Sequence, residues 1–355
     1  MMIGIMFLVT ASITQAEPQQ GQSPGSTATQ QSSDKEQQSA VKSCDPTTAK
    51  PPWRSSYFVW RNALGTATMD KDLLTYNPYY AMVFSLLPRW WFTDRIFAKA
   101  NLDITRELTN ADDTTYRGET VLGDLSVGVG MSRIWKIPVV DIDLSADINF
   151  YLPTSKASQA RTLVMAIRPG ARLSRAFDIL NGFQLGLNLR TGPSFHRYTT
   201  AERETPLISS CSLSSSGCDS FYNTGLRNPM YRFQWTADAW LGVLPWLDAY
   251  VVYGQVIDWL YSFDGHAGTS FEPEPDSNAR FLSVFAAELT FRPVKYLDLI
   301  AGYQTISPQL GPDSNFYNPF YNPYSIVYID IRIDAAVLIS TITGGETQRS
   351  NQYDL

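Results

Sequence analysis

Ser194 and His196 stand two residues apart in a segment, 181–197, where apolar and polar residues alternate. A serine and a histidine on one face are the beginning of an acyl-transfer site, in which imidazole takes the hydroxyl proton and a third group orients the ring. No carboxylate adjoins the pair in sequence, and Asn188 and Arg190 share its face, so it reads as a polar rim. The other histidine, His266, lies in a loop (DGHAG) and reads as surface. Cys211 and Cys218 lie in one long Ser-rich loop and are spaced for a small disulfide in an oxidising compartment, while Cys44 is left over. Pro-Asp-Ser-Asn occurs at 275–278 and at 312–315, and turn chemistry explains both copies. A calcium site would want a denser set of oxygen ligands. Gly128 and Gly130 are spaced along a strand, not before a helix, and make no phosphate loop. No metal or cofactor is expected.

The remaining candidates are charges, and they fall on one face of alternating segments. In 140–152, Val140, Ile142, Leu144, Ala146, Ile148, Phe150 and Leu152 oppose Asp141, Asp143, Ser145, Asp147, Asn149 and Tyr151. In 325–339, Val327, Ile329, Ile331, Ile333, Ala335 and Val337 oppose Asp330, Arg332 and Asp334. Successive side chains leave a strand on opposite faces, so period two means β-structure. These stretches run for a dozen residues or more and stay polar on one side to the middle. That is the pattern of a membrane barrel, with lipid outside and a polar lumen inside.

Twelve such strands are expected, near 53–66, 79–88, 94–108, 119–134, 139–152, 161–175, 181–197, 230–244, 247–263, 279–292, 296–308 and 325–340. The connections alternate between short and mostly longer, as in bacterial outer-membrane barrels with short periplasmic turns. This predicts an all-β, antiparallel up-and-down transmembrane barrel over 53–340. Before it, 1–16 reads as a signal peptide without a basic residue, and 17–52 as a disordered Gln/Ser/Thr/Pro-rich periplasmic tether. The polar tail 341–355 faces the periplasm. Aromatics make up 13% of the 355 residues and mark two interfaces. Trp90, Trp91, Phe92, Trp135, Trp246, Phe291 and Tyr296 lie at the short turns. Tyr76, Tyr79, Tyr80, Phe150, Phe195, Tyr198, Tyr231, Trp259, Tyr261 and Phe263 lie at the long loops. Net charge −6 gives no basic footprint for nucleic acid.

Parity then assigns the pore lining. Its basic residues are Arg95, Lys99, Arg168, Arg172, Arg190, Arg232, Arg280, Arg292 and Arg332. Its acidic residues are Asp103, Glu107, Asp124, Asp141, Asp143, Asp147, Asp238, Asp258, Glu288, Asp298, Asp330 and Asp334. The signs are mixed, and an anion-selective channel would need an excess of Arg and Lys. Folding the hairpin after strand 139–152 brings Asp141 towards Arg172. Two readings stand open, a charged constriction with a transverse field and a ladder of cross-strand pairs stiffening a wet wall. Phe-Tyr-Asn-Pro repeats at 316–319 and 320–323, either anchoring the loop at the interface or stacking on rings of a ligand.

The chain resembles bacterial outer-membrane barrels generally. From Gly123 (GDLSVGVG) to Leu152 (YLPTS) it also resembles the outer-membrane channels encoded with aromatic-compound degradation pathways, which carry a Gly-Asp-Leu strand and a Leu-Pro-Thr-Gly turn. Ser155 stands where that family has Gly, the likeness covers about thirty residues, and it implies transport without transferring a site. The expected function is a passive outer-membrane channel for small polar or amphipathic solutes, not an enzyme. Its partners are lipid, small solutes and a periplasmic protein met through the tether. The alternatives are a non-conducting barrel acting as an anchor or surface binder, and a lipid-modifying enzyme. For the last, Ser194 and His196 stand in the reverse order of the motif in some lipid A deacylases.

Overall fold

The computed structural model describes residues 50–69, 79–109, 118–201, 226–262, 278–311 and 314–343. The expected signal segment, the tether up to residue 49, Cys44, Tyr76, Cys211, Cys218, Phe263, His266, residues 275–277 of the first Pro-Asp-Ser-Asn copy and the tail beyond 343 lie outside the described residues.

Fourteen strand segments follow in order. They are β1 (Tyr57–Gly65), β2 (Tyr80–Leu87), β3 (Arg89–Trp91), β4 (Ile96–Glu107), β5 (Thr120–Leu122), β6 (Leu125–Ile137) and β7 (Ile142–Leu152). Then come β8 (Leu163–Phe177), β9 (Phe183–His196), β10 (Pro229–Leu244), β11 (Leu247–Leu260), β12 (Ala279–Val294), β13 (Leu297–Pro308) and β14 (Ser325–Asp334). A short helix α1 (Lys156–Ala160) precedes β8, and α2 (Ala335–Thr343) follows β14. All pairings are antiparallel, and β1 pairs with both β2 and β14 while β2 also pairs with β4, which closes the sheet into a barrel of 12 staves. Closure leaves no unpaired edge in a medium that cannot hydrogen-bond it.

The strands depart from expectation in two places: β3 lies between the expected strands 79–88 and 94–108, and the expected strand 119–134 is divided. Pro88 has no N–H for the ladder and separates β3 from β2. Between β5 and β6 the chain breaks at Gly123 and Asp124, where Thr154 repairs the ladder: its hydroxyl donates to Gly123 O (2.6 Å) and accepts from Leu125 N (2.8 Å).

The last strand is shorter than its alternation suggests. Ile333 and Asp334 end the ladder, and the Asp334 carboxylate accepts hydrogen bonds from Ala336 N (3.0 Å) and Val337 N (3.1 Å). This is an N-cap, and two alanines immediately follow it, so α2 starts where a strand to residue 340 was expected.

Large apolar residues crowd the outer face. Phe58, Phe84, Leu185, Leu189, Val251, Phe281, Leu289 and Ile329 are all exposed, and the outward residues at strand centres are uncharged. Trp90, Phe92, Trp135, Trp246 and Phe291 are exposed near the short turns, and Phe195, Tyr198, Tyr231 and Trp259 near the long connections. Trp91 departs from its expected girdle. It points inward, is buried, and packs on Phe97 at 4.8 Å.

Removing the cap tests the boundary at Asp334. Asp334→Ala is expected to lower barrel stability by about 1 kcal/mol, and Asp334→Ser to restore most of it, because either side-chain oxygen caps a helix. Urea unfolding in detergent micelles, followed by tryptophan fluorescence, measures both; equal midpoints for the two variants would reject the cap.

Candidate functional site: the charged inner wall

On β1, β2, β4 and β7 the odd-numbered residues face the inside, and on β8 to β12 and β14 the even-numbered ones do, as the buried polar positions show. Inward charges therefore meet one another rather than water or lipid. Arg172 on β8 and Asp238 on β10 form a two-pronged pair, both contacts 2.9 Å. Asn188 on β9 joins them, accepting from Arg172 at 3.0 Å and donating to Asp238 at 2.9 Å. Both charged side chains are only 2% exposed, so the pair is desolvated and hydrogen bonding is compulsory.

The other inward charges repeat this arrangement around the wall. Asp147 on β7 accepts from Lys99 on β4 (2.7 Å) and from Arg190 on β9 (2.9 Å). Arg232 holds Asp258 through two nitrogens (2.6 and 2.7 Å). Arg292 holds Asp248 and approaches Asp298 at 3.7 Å, while Arg332 donates to Asp298 at 2.8 Å. Arg61 holds Asp330 twice at 2.8 Å, with its guanidinium 3.8 Å above the Tyr328 ring. Glu288 accepts from Tyr328 Oη at 2.5 Å, and Asp103 from Ser85 Oγ at 2.5 Å. Arg280 donates to the Arg227 carbonyl at 3.1 Å, and Asp143 is half-buried at the start of β7 opposite Ser174.

Several of these contacts span an intervening strand, and glycine makes the span possible. Gly170 lies between Asp147 and Arg190 in register, and a Cβ there would stand 2.6 Å from the Asp147 carboxylate. Gly186 lies beneath the Arg172–Asp238 pair, where a Cβ would stand 2.5 Å from the guanidinium and 2.6 Å from both carboxylate oxygens. A side chain at either position would occupy the path that the arginine takes.

Arg168 plays a different part. Pro169 and Pro193 face a gap in the β8–β9 ladder, which has no register pairs between Ala166↔Ser194 and Gly170↔Arg190. Arg168 fills it from the side, donating to the carbonyls of Gly192 (2.9 Å) and Pro193 (2.5 Å) and to Ser194 Oγ (2.5 Å). The expected rim pair is thus divided. Ser194 Oγ is engaged by a guanidinium, whereas His196 Nδ1 lies 2.8 Å from Arg161 O and its ring meets Tyr261 edge-on.

Three sequence assignments are corrected. Arg95 lies exposed in the turn before β4. Asp141 lies exposed in the β6–β7 turn at φ 56° and pairs with Lys136 (3.1 Å), so the expected Asp141–Arg172 contact is not made. In the observed register Ser145 faces Arg172, which reaches Asp238 instead. Asp124 sits in the β5–β6 break, accepting from Ser155 N (3.0 Å) and Ser158 Oγ at the start of α1. Asp334 caps α2. The sequence reading missed Arg61, Arg89 and Asp248, which are inward on β1, β3 and β11. Parity held the signal, since Tyr57, Val59, Arg61 and Ala63 alternate with Phe58, Trp60, Asn62 and Leu64.

A closed antiparallel barrel, apolar outside and charged inside, has the architecture of an outer-membrane β-barrel. Among solved structures it is similar to an outer membrane channel from Pseudomonas putida F1, at 10% identity and TM-score 0.48, covering 83% of this chain and 99% of that one. It is also similar to OmpF of Salmonella typhi, solved with daunomycin, at 7% identity and TM-score 0.37 over 78% and 96%. Outer membrane phospholipase A from Escherichia coli is similar at 10% identity and TM-score 0.31 over 83% and 95%. Likeness this remote says nothing about solute or activity. No protein-family model and no curated protein matches the chain.

The wall pairs are open to a direct test. Arg172→Met or Asp238→Leu alone leaves a buried charge without its partner and is expected to cost roughly 3–5 kcal/mol, while the double variant recovers much of the loss. Unfolding in micelles measures all three, and additive losses would show that the two groups do not act as a pair.

Proposed function

We propose that this barrel is a passive channel for small polar or amphipathic solutes, which move past a wall carrying both signs of charge. One observation carries the reading: each ion pair described above joins strands one or two places apart, so the charges bind along the wall and not across the axis. Such pairing supplies a polar surface without a ring of one sign, which favours weak ion selectivity. It also supports the stiffened-wall reading of the mixed charges over a strong transverse field.

A second reading, a non-conducting barrel serving as an anchor or a surface binder, draws on the inward apolar residues. Trp240, Tyr250, Val252 and Ala286 form a buried cluster on the inner face of β10 to β12. Side chains of that size narrow a barrel of few staves.

Planar-bilayer recording from refolded barrel separates the two. Stable, salt-dependent steps with a small reversal potential under a KCl gradient are expected, and silence from demonstrably folded protein would overturn the channel. Asp147→Asn leaves Lys99 and Arg190 facing each other without their shared carboxylate. The reversal potential should then move towards anion preference, and an unmoved value would place Asp147 outside the conduction path.

A further inference from the structure

The outer face of β11 to β14 carries a feature that solute passage does not use. Residues 314–324 fold down over it as a strap. Phe320 sets its ring 5.0 Å from that of Phe285 and 6.0 Å from that of Tyr253, and its carbonyl accepts from Tyr303 Oη at 2.5 Å. The tandem repeat builds the strap from two matching turns. Asn318 Oδ1 accepts from Phe320 N, and Asn322 Oδ1 from Tyr324 N, each at 2.9 Å, with a proline after each asparagine. Beneath it, the outward residues Thr305, Ser307 and Ser325 are at most 1% exposed, and Asn322 Nδ2 donates to Ser307 Oγ. The strap therefore seals a polar row that would otherwise face the membrane.

Directly on the short-turn side of that row lies an apolar groove of about 650 Å³, within the roughly 300–1,000 Å³ range of small-ligand sites. Ala249, Ala287 and Ala301 give it a shallow floor between Val251, Leu289 and Ile329, and Tyr303 joins it to the strap. Trp235, Tyr253, Phe285 and Tyr303 form an outward aromatic band at its upper end, near the middle of strands β10 to β13. Ala249 lies three residues from Trp246 and Leu289 two from Phe291, so the groove opens at acyl-chain depth in the leaflet on the short-turn side, continuous with the membrane-facing wall.

We propose that this groove holds one acyl chain of a phospholipid from the leaflet on the short-turn side, seated against the three alanines and stopped at the strap. The occupant is lipid because the groove is apolar, lies on the membrane face and ends where the aromatic band begins. Native mass spectrometry of the full-length barrel in detergent tests the proposal, with hexa-acylated lipid A added in one arm and phosphatidylethanolamine in the other. The native barrel should retain one lipid at collision energies that strip the double variant Ala287→Leu/Ala301→Leu. Ala146→Leu, outward on β7 at the other side of the barrel, should leave retention unchanged. Retention of phosphatidylethanolamine supports the proposal, and retention of lipid A alone overturns it. Equal retention by the native barrel and the groove variant overturns it. Multimers that the groove variant converts to monomers also overturn it, because a second copy would then occupy the groove. Heat-modifiable migration of each variant confirms that it folds, and Ala301→Leu alone serves if the double variant does not.

Discussion

A charge on the inside of a narrow barrel must find its counter-charge on the same wall. Alternation sends every polar side chain of a strand to one face, and closure takes that face away from bulk water. Side chains directly opposite on neighbouring strands have their Cβ atoms ≈ 4.5–5.5 Å apart, and Arg61, Arg232 and Arg332 meet carboxylates at such positions. Arg172 and Arg190 instead extend across a whole strand to Asp238 and Asp147, and the strand between offers glycine at the crossing. From β4 to β10 the interior is built on this skip-strand pairing. It holds three consecutive strands together through side chains as well as through the backbone ladder, and it keeps nearly desolvated carboxylates paired.

The outer face obeys the opposite rule, and its exceptions are handled one by one. Lipid cannot hydrogen-bond a hydroxyl or an open ladder, so each interruption has a local repair. Thr154 bridges the β5–β6 break, Arg168 reaches the carbonyls beside Pro193 from the inner side, and the strap covers Thr305, Ser307 and Ser325. In two of these cases the repair comes from a residue distant in sequence. Asn322 and Phe320 belong to a loop, yet they finish the surface of strands β11 to β14.

These two rules explain what could be read without coordinates. Strand positions were legible because period-two patterning continues for a dozen residues, long enough to fix both the element and its inner face. The inward placement of Lys99, Asp147, Arg172 and Asp238 follows from that parity alone. Partners did not follow. Asp141 looked like a wall residue because it continues the alternation of β7, but the β6–β7 turn runs through Asp141, three residues into the expected strand 139–152. Asp334 likewise continues the alternation of β14 while serving as a cap, since aspartate followed by two alanines suits a helix start as well as a strand. Pairing two strands apart depends on the register of both ladders, which no single segment encodes. The glycines were visible, but their meaning came only once Gly170 and Gly186 were seen to lie under an ion pair.

Pairing along the wall also bears on how a mixed-sign lumen treats a solute. An ion entering a ring of one sign meets a field that adds up around the circumference. Here most of the cations are answered by a carboxylate within a strand or two, so the field falls off over the distance between partners. A neutral polar solute gains more from such a surface than a simple ion does, because it can exchange hydrogen bonds with groups whose own partners are close by. Asp147 is the exception in charge count, one carboxylate between Lys99 and Arg190, and it leaves a local excess of positive charge on β4, β7 and β9. The Arg172–Asp238 pair on β8 and β10 carries no such excess. Any preference for charge would therefore arise on the Lys99–Asp147–Arg190 side of the wall, where three charged groups share two signs unequally.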